Sequence, residues 1–85
     1  MVTKDAVFEV VKGVVLETLP HLSPDDVLAH KSLVDLGANS LDRMEVVTLS
    51  MQELGLKLPL MTFAGVSNLQ GLVDVLHHHR AALPS

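Results

Sequence analysis

The residue best placed to take part in chemistry is one serine at the end of a glycine-containing turn. Ser40 lies in the segment 35–42, which reads DLGANSLD, just before a stretch with the apolar periodicity of a helix. The N-terminus of a helix presents free N–H groups and a partial positive charge, which favour a phosphate ester on a serine oxygen. Asp42 opposes such an ester electrostatically, and Arg43 partly offsets that effect. Serine is also a frequent N-cap, so Ser40 is either an attachment point or a cap, unless Asn39 caps the helix instead.

Ser40 lacks the neighbours that a catalytic nucleophile needs. Such a serine requires a base within hydrogen-bond reach and a third group that orients the base. The histidines are His21, His30 and the run His77–His79, and none lies in a recognisable motif. Three consecutive helical residues point about 100° apart and cannot converge on one ion. We therefore predict neither an enzyme nor a metal site, and we expect His21 and His30 on the loop surface and His77–His79 at a solvated helix end.

The first helix is predicted over about 3–18. Its valines recur at the helical spacing i, i+3, i+4 and i+7, at Val7, Val10, Val11 and Val14. Thr3 is the expected N-cap, and Pro20 ends the helix. A long connection over 19–39 follows, and the sequence Ser-Pro-Asp-Asp at 23–26 predicts a short helical turn within it. Connections of this length in a compact domain are often functional.

The second helix is predicted over about 40–54, because Asn39 or Ser40 caps it and Gly55 ends it. Its core candidates are Val46, Val47, Leu49 and Leu54. A second, partly apolar stripe on the same helix consists of Leu41, Met44, Thr48 and Met51. A helix that is apolar on two sides is either enclosed by the core or presents one side to a partner. The sequence leaves both interpretations open.

Two more helices are predicted in the C-terminal third. Pro59 opens a short one over about 59–64. The pattern Ser67-x-x-Gln70 is typical of a capping box at the start of the last helix. Residues with the spacing of a buried helix face follow that box, at Leu69, Leu72, Val73 and Leu76. No segment has the alternation of a strand.

Length and composition agree with one helical domain. Eighty-five residues, 48% of them hydrophobic but only 2% aromatic, must build their core from Leu, Val and Met. We predict an all-α fold, a small four-helix bundle of three main helices plus one short helix, over residues 1–80 with a frayed tail at 81–85. The chain has no Cys, no signal-peptide pattern and no apolar run near the roughly 20 residues of a membrane span. We therefore expect a cytoplasmic protein.

Negative charge is concentrated around Ser40. The net charge is −4, and the segment 25–53 holds six of the ten acidic residues but only two of the six basic ones. Binding to a nucleic-acid backbone needs clustered Lys and Arg, so we predict no nucleic-acid partner. A basic protein surface is the natural complement of such a segment, although a solvated acidic face is the simpler interpretation.

The segment 36–42, LGANSLD, resembles the attachment motif of acyl carrier proteins, which usually reads Asp-Ser-Leu after Leu-Gly-Ala. The predicted order of helices also resembles that family over nearly the whole chain. The resemblance implies a carrier in which Ser40 bears 4'-phosphopantetheine, attached from coenzyme A by a phosphopantetheinyl transferase. The thiol of the arm would hold acyl groups as thioesters. The resemblance also implies partner-docking residues at Leu41, Asp42, Arg43, Met44, Glu45 and Thr48.

Two longer segments, 37–45 and 58–66, resemble a narrower group, the free-standing donor carriers of β-branching cassettes in bacterial polyketide pathways. This resemblance implies acetyl or malonyl cargo and delivery to an enzyme similar to 3-hydroxy-3-methylglutaryl-CoA (HMG-CoA) synthase. A decarboxylating ketosynthase and an acyltransferase would be further partners, and the carrier would be a monomer. Asn39 in place of the usual Asp and Arg43 in the acidic helix depart from the carrier of primary fatty acid synthesis. Acceptor carriers of such cassettes tend to have a Trp in this region, and its absence here favours the donor role.

Two alternatives to the donor carrier remain. One is a fatty-acid, general polyketide or peptidyl carrier. The other, from a different class, is an unmodified helical interaction module in which Ser40 only caps a helix.

Overall fold

The computed structural model describes residues 2–83, which form three α-helices and two short 3₁₀ turns. The helices are α1 (Lys4–Thr18), α2 (Ser40–Leu54) and α3 (Leu69–Ala81). One 3₁₀ turn, Pro24–Asp26, lies in the connection between α1 and α2, and the other, Leu60–Phe63, lies between α2 and α3. The predicted all-α bundle of three main helices plus one short one is confirmed. None of the helices in residues 2–83 is long and apolar enough to cross a membrane.

Helix α1 packs against both of the other helices. It begins where predicted, since the Oγ1 atom of Thr3 accepts a hydrogen bond of 3.1 Å from the backbone N–H of Ala6. It ends just before Pro20, with the N–H of Leu19 bound to the carbonyl oxygen of Val15. Its buried residues are Val7, Val11, Val14 and Val15. Five valines and a glycine are weak helix formers, so burial against two neighbours, rather than propensity, stabilises this helix.

The predicted capping box at the start of α3 is wrong. The N-cap is Asn68, whose Oδ1 atom accepts a hydrogen bond of 2.8 Å from the N–H of Gly71. Gln70 instead donates a side-chain hydrogen bond of 2.9 Å to Asp74. The first free N–H groups of α3, on Leu69 and Gln70, bind carbonyl oxygens of the α1–α2 connection, on Lys31 and Ala29. A distant loop therefore satisfies donors that a local box would have had to satisfy.

The C-terminal region differs slightly from the prediction. Helix α3 ends at Ala81, one residue beyond the expected boundary. The frayed tail at 81–85 stays a prediction, and Met1, Pro84 and Ser85 lie outside the described residues. His77 donates a hydrogen bond of 3.1 Å to the carbonyl oxygen of Val2, and the rings of His78 and His79 lie edge to face. Within residues 2–83, no group of three His, Cys, Asp or Glu side chains is placed to hold a metal ion.

The core is aliphatic, as expected, but it encloses two hydroxyl groups. Ser50 of α2 is 0% exposed, and its Oγ atom has no hydrogen-bond partner among the described residues. The Oγ1 atom of Thr18 is in the same situation. A buried hydroxyl without a partner lowers the stability of the folded state, because it loses its hydrogen bonds to water and gains none in return.

We predict that Ser50→Ala stabilises the protein. Removing the unsatisfied hydroxyl and introducing a better helix former should raise the free energy of unfolding by about 1 kcal/mol, measured by urea denaturation. Ser67→Ala is the matched control, since Ser67 is exposed and should change stability by less than about 0.5 kcal/mol. A loss of stability in Ser50→Ala would mean that the hydroxyl is satisfied in solution.

Candidate functional site

The N-terminus of α2 is closed by a reciprocal pair of hydrogen bonds that leaves Ser40 out. The Oδ1 atom of Asn39 accepts a bond of 2.8 Å from the N–H of Asp42, and the Oδ2 atom of Asp42 accepts one of 3.2 Å from the N–H of Asn39. Asn39 has extended backbone angles and is the N-cap, so Ser40 is the first helical residue. The interpretation of Ser40 as a cap is therefore wrong, because its neighbour has taken that role.

The Ser40 hydroxyl is accessible. The residue is exposed, and its Oγ atom accepts a hydrogen bond of 3.3 Å from the Nη2 atom of Arg43, one turn along the helix. This hydrogen bond joins two side chains and does not involve the backbone N–H groups at the helix end. The hydroxyl is therefore free to react with a group brought from outside.

The turn that leads to Ser40 needs glycine at one position. Gly37 has φ +91°, a left-handed conformation that side chains with a Cβ rarely adopt. Its two neighbours, Leu36 and Ala38, are buried and anchor the turn on the core. His21 donates a hydrogen bond of 3.3 Å from Nε2 to the carbonyl oxygen of Leu36. His21 lies on the loop surface as predicted, but its contact with the turn could not be inferred from a sequence separation of 15 residues.

A second reciprocal pair precedes that turn. The Oδ2 atom of Asp35 accepts a hydrogen bond of 3.1 Å from the N–H of Ser32. The Oγ atom of Ser32 accepts one of 3.0 Å from the N–H of Asp35. The backbone N–H of Ser32, followed by its hydroxyl, lowers the pKa of Asp35 below the ordinary 3.8. A lowered pKa favours the folded state at pH values above the unfolded pKa, and this contribution is lost as the pH falls through the folded pKa. The spacing Ser-x-x-Asp at 32–35 is the sequence signal from which this pair could have been predicted.

A cleft of about 410 Å³ opens beside Ser40. It lies between the first half of α2, the Leu60–Phe63 turn, the start of α3 and the end of the α1–α2 connection. Ser40 and Arg43 contribute polar atoms to it. Its apolar lining includes Leu33, Met44, Val47, Leu60, Phe63 and Leu72. This cleft could not be predicted from the sequence, because its walls come from four separate segments.

The structure divides the second stripe of α2. Leu41 is 75% exposed and Met44 49% exposed, whereas Met51 is buried at 7%. Of the predicted docking residues, Asp42 is half-buried at the cap, and the others are exposed on the first turns of α2: Leu41, Arg43, Met44, Glu45 and Thr48. Met61 of the Leu60–Phe63 turn is a further exposed apolar side chain, 86% exposed, which the sequence did not predict.

Comparison with known proteins identifies a family and similar proteins. The family described as "Phosphopantetheine attachment site" matches residues 9–76. The "Polyketide biosynthesis acyl-carrier-protein AcpK" of Bacillus subtilis (strain 168) is 38% identical over 74 residues, which cover 87% of this chain and 90% of the relative. No solved structure matches the chain.

We predict that the two neighbours at the start of α2 respond differently to substitution. Asn39→Ala removes the cap and should lower the free energy of unfolding by about 1 kcal/mol. Ser40→Ala should lower it by less than about 0.5 kcal/mol, because its hydroxyl closes no helix end. Urea denaturation measures both, and the reverse order of effects would show that Ser40 is the cap in solution.

Proposed function

Because the chain belongs to the phosphopantetheine-attachment family, we propose that it is an acyl carrier of polyketide biosynthesis with its arm on Ser40. The predicted family, the predicted 4'-phosphopantetheine and the non-catalytic role are confirmed by that membership. When bound, the arm supplies a thiol that holds an acyl group as a thioester. The role in polyketide biosynthesis follows the name of the relative from Bacillus subtilis.

The accessible hydroxyl of Ser40 is the observation that carries the choice of attachment residue. Asn39 and Asp42 close the end of α2 without it, so a modification at Ser40 would leave the cap intact. Ser40 also borders the cleft of about 410 Å³, and Arg43 places a positive charge beside it. A hydroxyl, an adjacent cation and an apolar cleft fit a phosphate-linked arm with a short acyl group.

We further propose that the cargo is acetyl, derived from malonyl, and that the recipient is an enzyme similar to HMG-CoA synthase. The segments 37–45 and 58–66, together with the absence of Trp, favour this donor role. A fatty-acid, general polyketide or peptidyl carrier would share the fold and the arm, so activity with the recipient enzyme separates these roles. The chain itself presents the cargo, and tethering raises the local concentration of the thioester at its partner.

The first turns of α2 are the proposed docking surface. Leu41 and Met44 are exposed apolar side chains beside the attachment residue, and Glu45 adds a negative charge. A partner that meets this surface needs an apolar contact with a basic rim, since complementary charge speeds encounter and orients it. The phosphopantetheinyl transferase, the HMG-CoA-synthase-like enzyme, the ketosynthase and the acyltransferase are the proposed partners.

We predict that the unmodified protein gains one arm from coenzyme A at Ser40. A promiscuous phosphopantetheinyl transferase should increase the intact mass of the wild type by one phosphopantetheine and leave Ser40→Ala unchanged. Ser67→Ala is the matched control, because it removes another exposed serine at the edge of the same cleft. A wild type without the added mass, or Ser40→Ala with it, would refute the proposed attachment.

We predict that a positive charge introduced on the proposed docking surface weakens delivery without unfolding the protein. Met44→Lys and Glu45→Lys should each lower kcat/KM for acetyl transfer to an HMG-CoA-synthase homologue by about fivefold, since each disturbs a contact worth about 1 kcal/mol. Glu53→Lys is the control, because it makes the same charge change on an exposed position in the last turn of α2. Unchanged kinetics in both variants would contradict docking here, and a recipient that ignores the wild-type acetyl form would contradict the donor role.

A further inference from the structure

An arginine without a carboxylate partner lies beside the attachment residue. The Nη2 atom of Arg43 is 3.3 Å from the Oγ atom of Ser40. Within residues 2–83, the ion pair found at 4 Å or less is Lys4–Asp74, between α1 and α3, and it does not involve Arg43. Arg43 is exposed, and it lines the same cleft as Ser40. Its positive charge is therefore available to an anion that arrives at Ser40.

The nearest carboxylate along the helix is already engaged. The Oδ2 atom of Asp42 accepts the N–H of Asn39, and the capping partner, Asn39, is neutral. Two reciprocal bonds thus hold Asp42 toward the backbone of the cap, while Arg43 turns toward the hydroxyl. At the start of α2, Asp42 therefore contacts the cap residue Asn39, and Arg43 contacts Ser40.

A phosphodiester on Ser40 would meet this cation directly. Its charged oxygens would lie two bonds from the very oxygen that Arg43 contacts in the unmodified chain. Guanidinium groups bind phosphate through paired, charge-assisted hydrogen bonds, and the N–H groups at the start of a helix add favourable potential. Once the Ser40 oxygen is esterified it is a weaker acceptor, so the guanidinium gains by moving to a charged phosphate oxygen.

We propose that Arg43 binds the phosphodiester of the attached arm and holds the base of the arm at the mouth of the cleft. This inference rests on the proposed function and adds a positioning residue to it. It also changes the role expected for Arg43, whose charge is used within the loaded carrier rather than offered to a partner. The outer part of the arm stays free to reach partner enzymes, because the contact restrains only its phosphate.

A double-change thermodynamic cycle tests this inference, in which one change is attachment of the arm and the other is substitution of Arg43. The melting temperature, Tm, is measured for the wild type, Arg43→Gln, Arg43→Leu and Arg43→Lys. Each is measured without the phosphopantetheine arm (unloaded) and with it (loaded). Arg80→Gln is the matched control, since it removes the other arginine of the chain, at the end of α3. The difference between Tm increments isolates the contact between Arg43 and the arm, because effects of the arm on the cleft are common to all variants. The phosphorus NMR line of each loaded form is recorded as a second readout.

Loading should raise the Tm of the wild type and of Arg80→Gln by about 2–4 °C more than that of Arg43→Gln or Arg43→Leu. This excess should shrink near 1 M salt, where charges are screened beyond about 3 Å. Arg43→Lys should keep part of it, as a cation without the fork geometry. The phosphorus line of both neutral variants should be shifted and narrower than that of the wild type, because their phosphate moves more freely.

Equal Tm increments and unchanged phosphorus lines in the neutral variants would overturn the inference. In that case the arm would still be on Ser40, and the proposed function would stand. A wild type that gains no arm would overturn both together, and the intact mass distinguishes the two failures. A neutral variant that the transferase modifies slowly is treated with a larger excess of that enzyme, so that its unloaded and loaded forms are both measured.

Discussion

The rest of this site depends on one constraint, that Asn39 caps α2 and its neighbour Ser40 does not. A helix N-terminus has donors that must be satisfied, and a serine in that place ordinarily satisfies one. Here the mutual hydrogen bonds of Asn39 and Asp42 do so, at 2.8 and 3.2 Å. Ser40 is thereby left with an exposed hydroxyl at a positive helix end. Structural and chemical demands that would compete for one side chain are met by different ones.

The connection before α2 acts as a structured platform rather than a flexible loop. It is fixed to the core by Leu36 and Ala38, and its carbonyl groups at Ala29 and Lys31 cap the backbone of α3. The reciprocal pair formed by Ser32 and Asp35 stiffens it further. Through these contacts the start of α2 and the start of α3 are held around one cleft, so an arm on Ser40, as proposed, would meet a defined apolar wall. Long connections in small domains are often functional for this reason.

The apolar residues of helix α2 form a buried set and an exposed set. Its buried residues, which include Val46 and Leu54, hold it against α1, while Leu41 and Met44 of the first turns remain exposed. Exposed apolar side chains carry a cost in solubility, and the surrounding acidic residues offset it. The same negative field favours basic partners. The buried residues and the proposed docking residues are therefore different residues of one helix, so substitutions in the first turns leave the core packed.

Local chemistry determined the helices, because caps, glycine stops and valine spacing act within a few residues. For that reason the sequence alone indicates the caps at Thr3 and Asn39 and the helix end at Gly55. The serine of the motif is recognised in the same way. Tertiary structure alone decided which residues would meet. The box expected at Ser67 is absent, since Asn68 is the N-cap and carbonyl groups some 40 positions away in the chain accept hydrogen bonds from the first N–H groups of α3. The cleft, the burial of Met51 and the contact of His21 likewise arise between segments far apart in the chain, and periodicity carries no information about such distances.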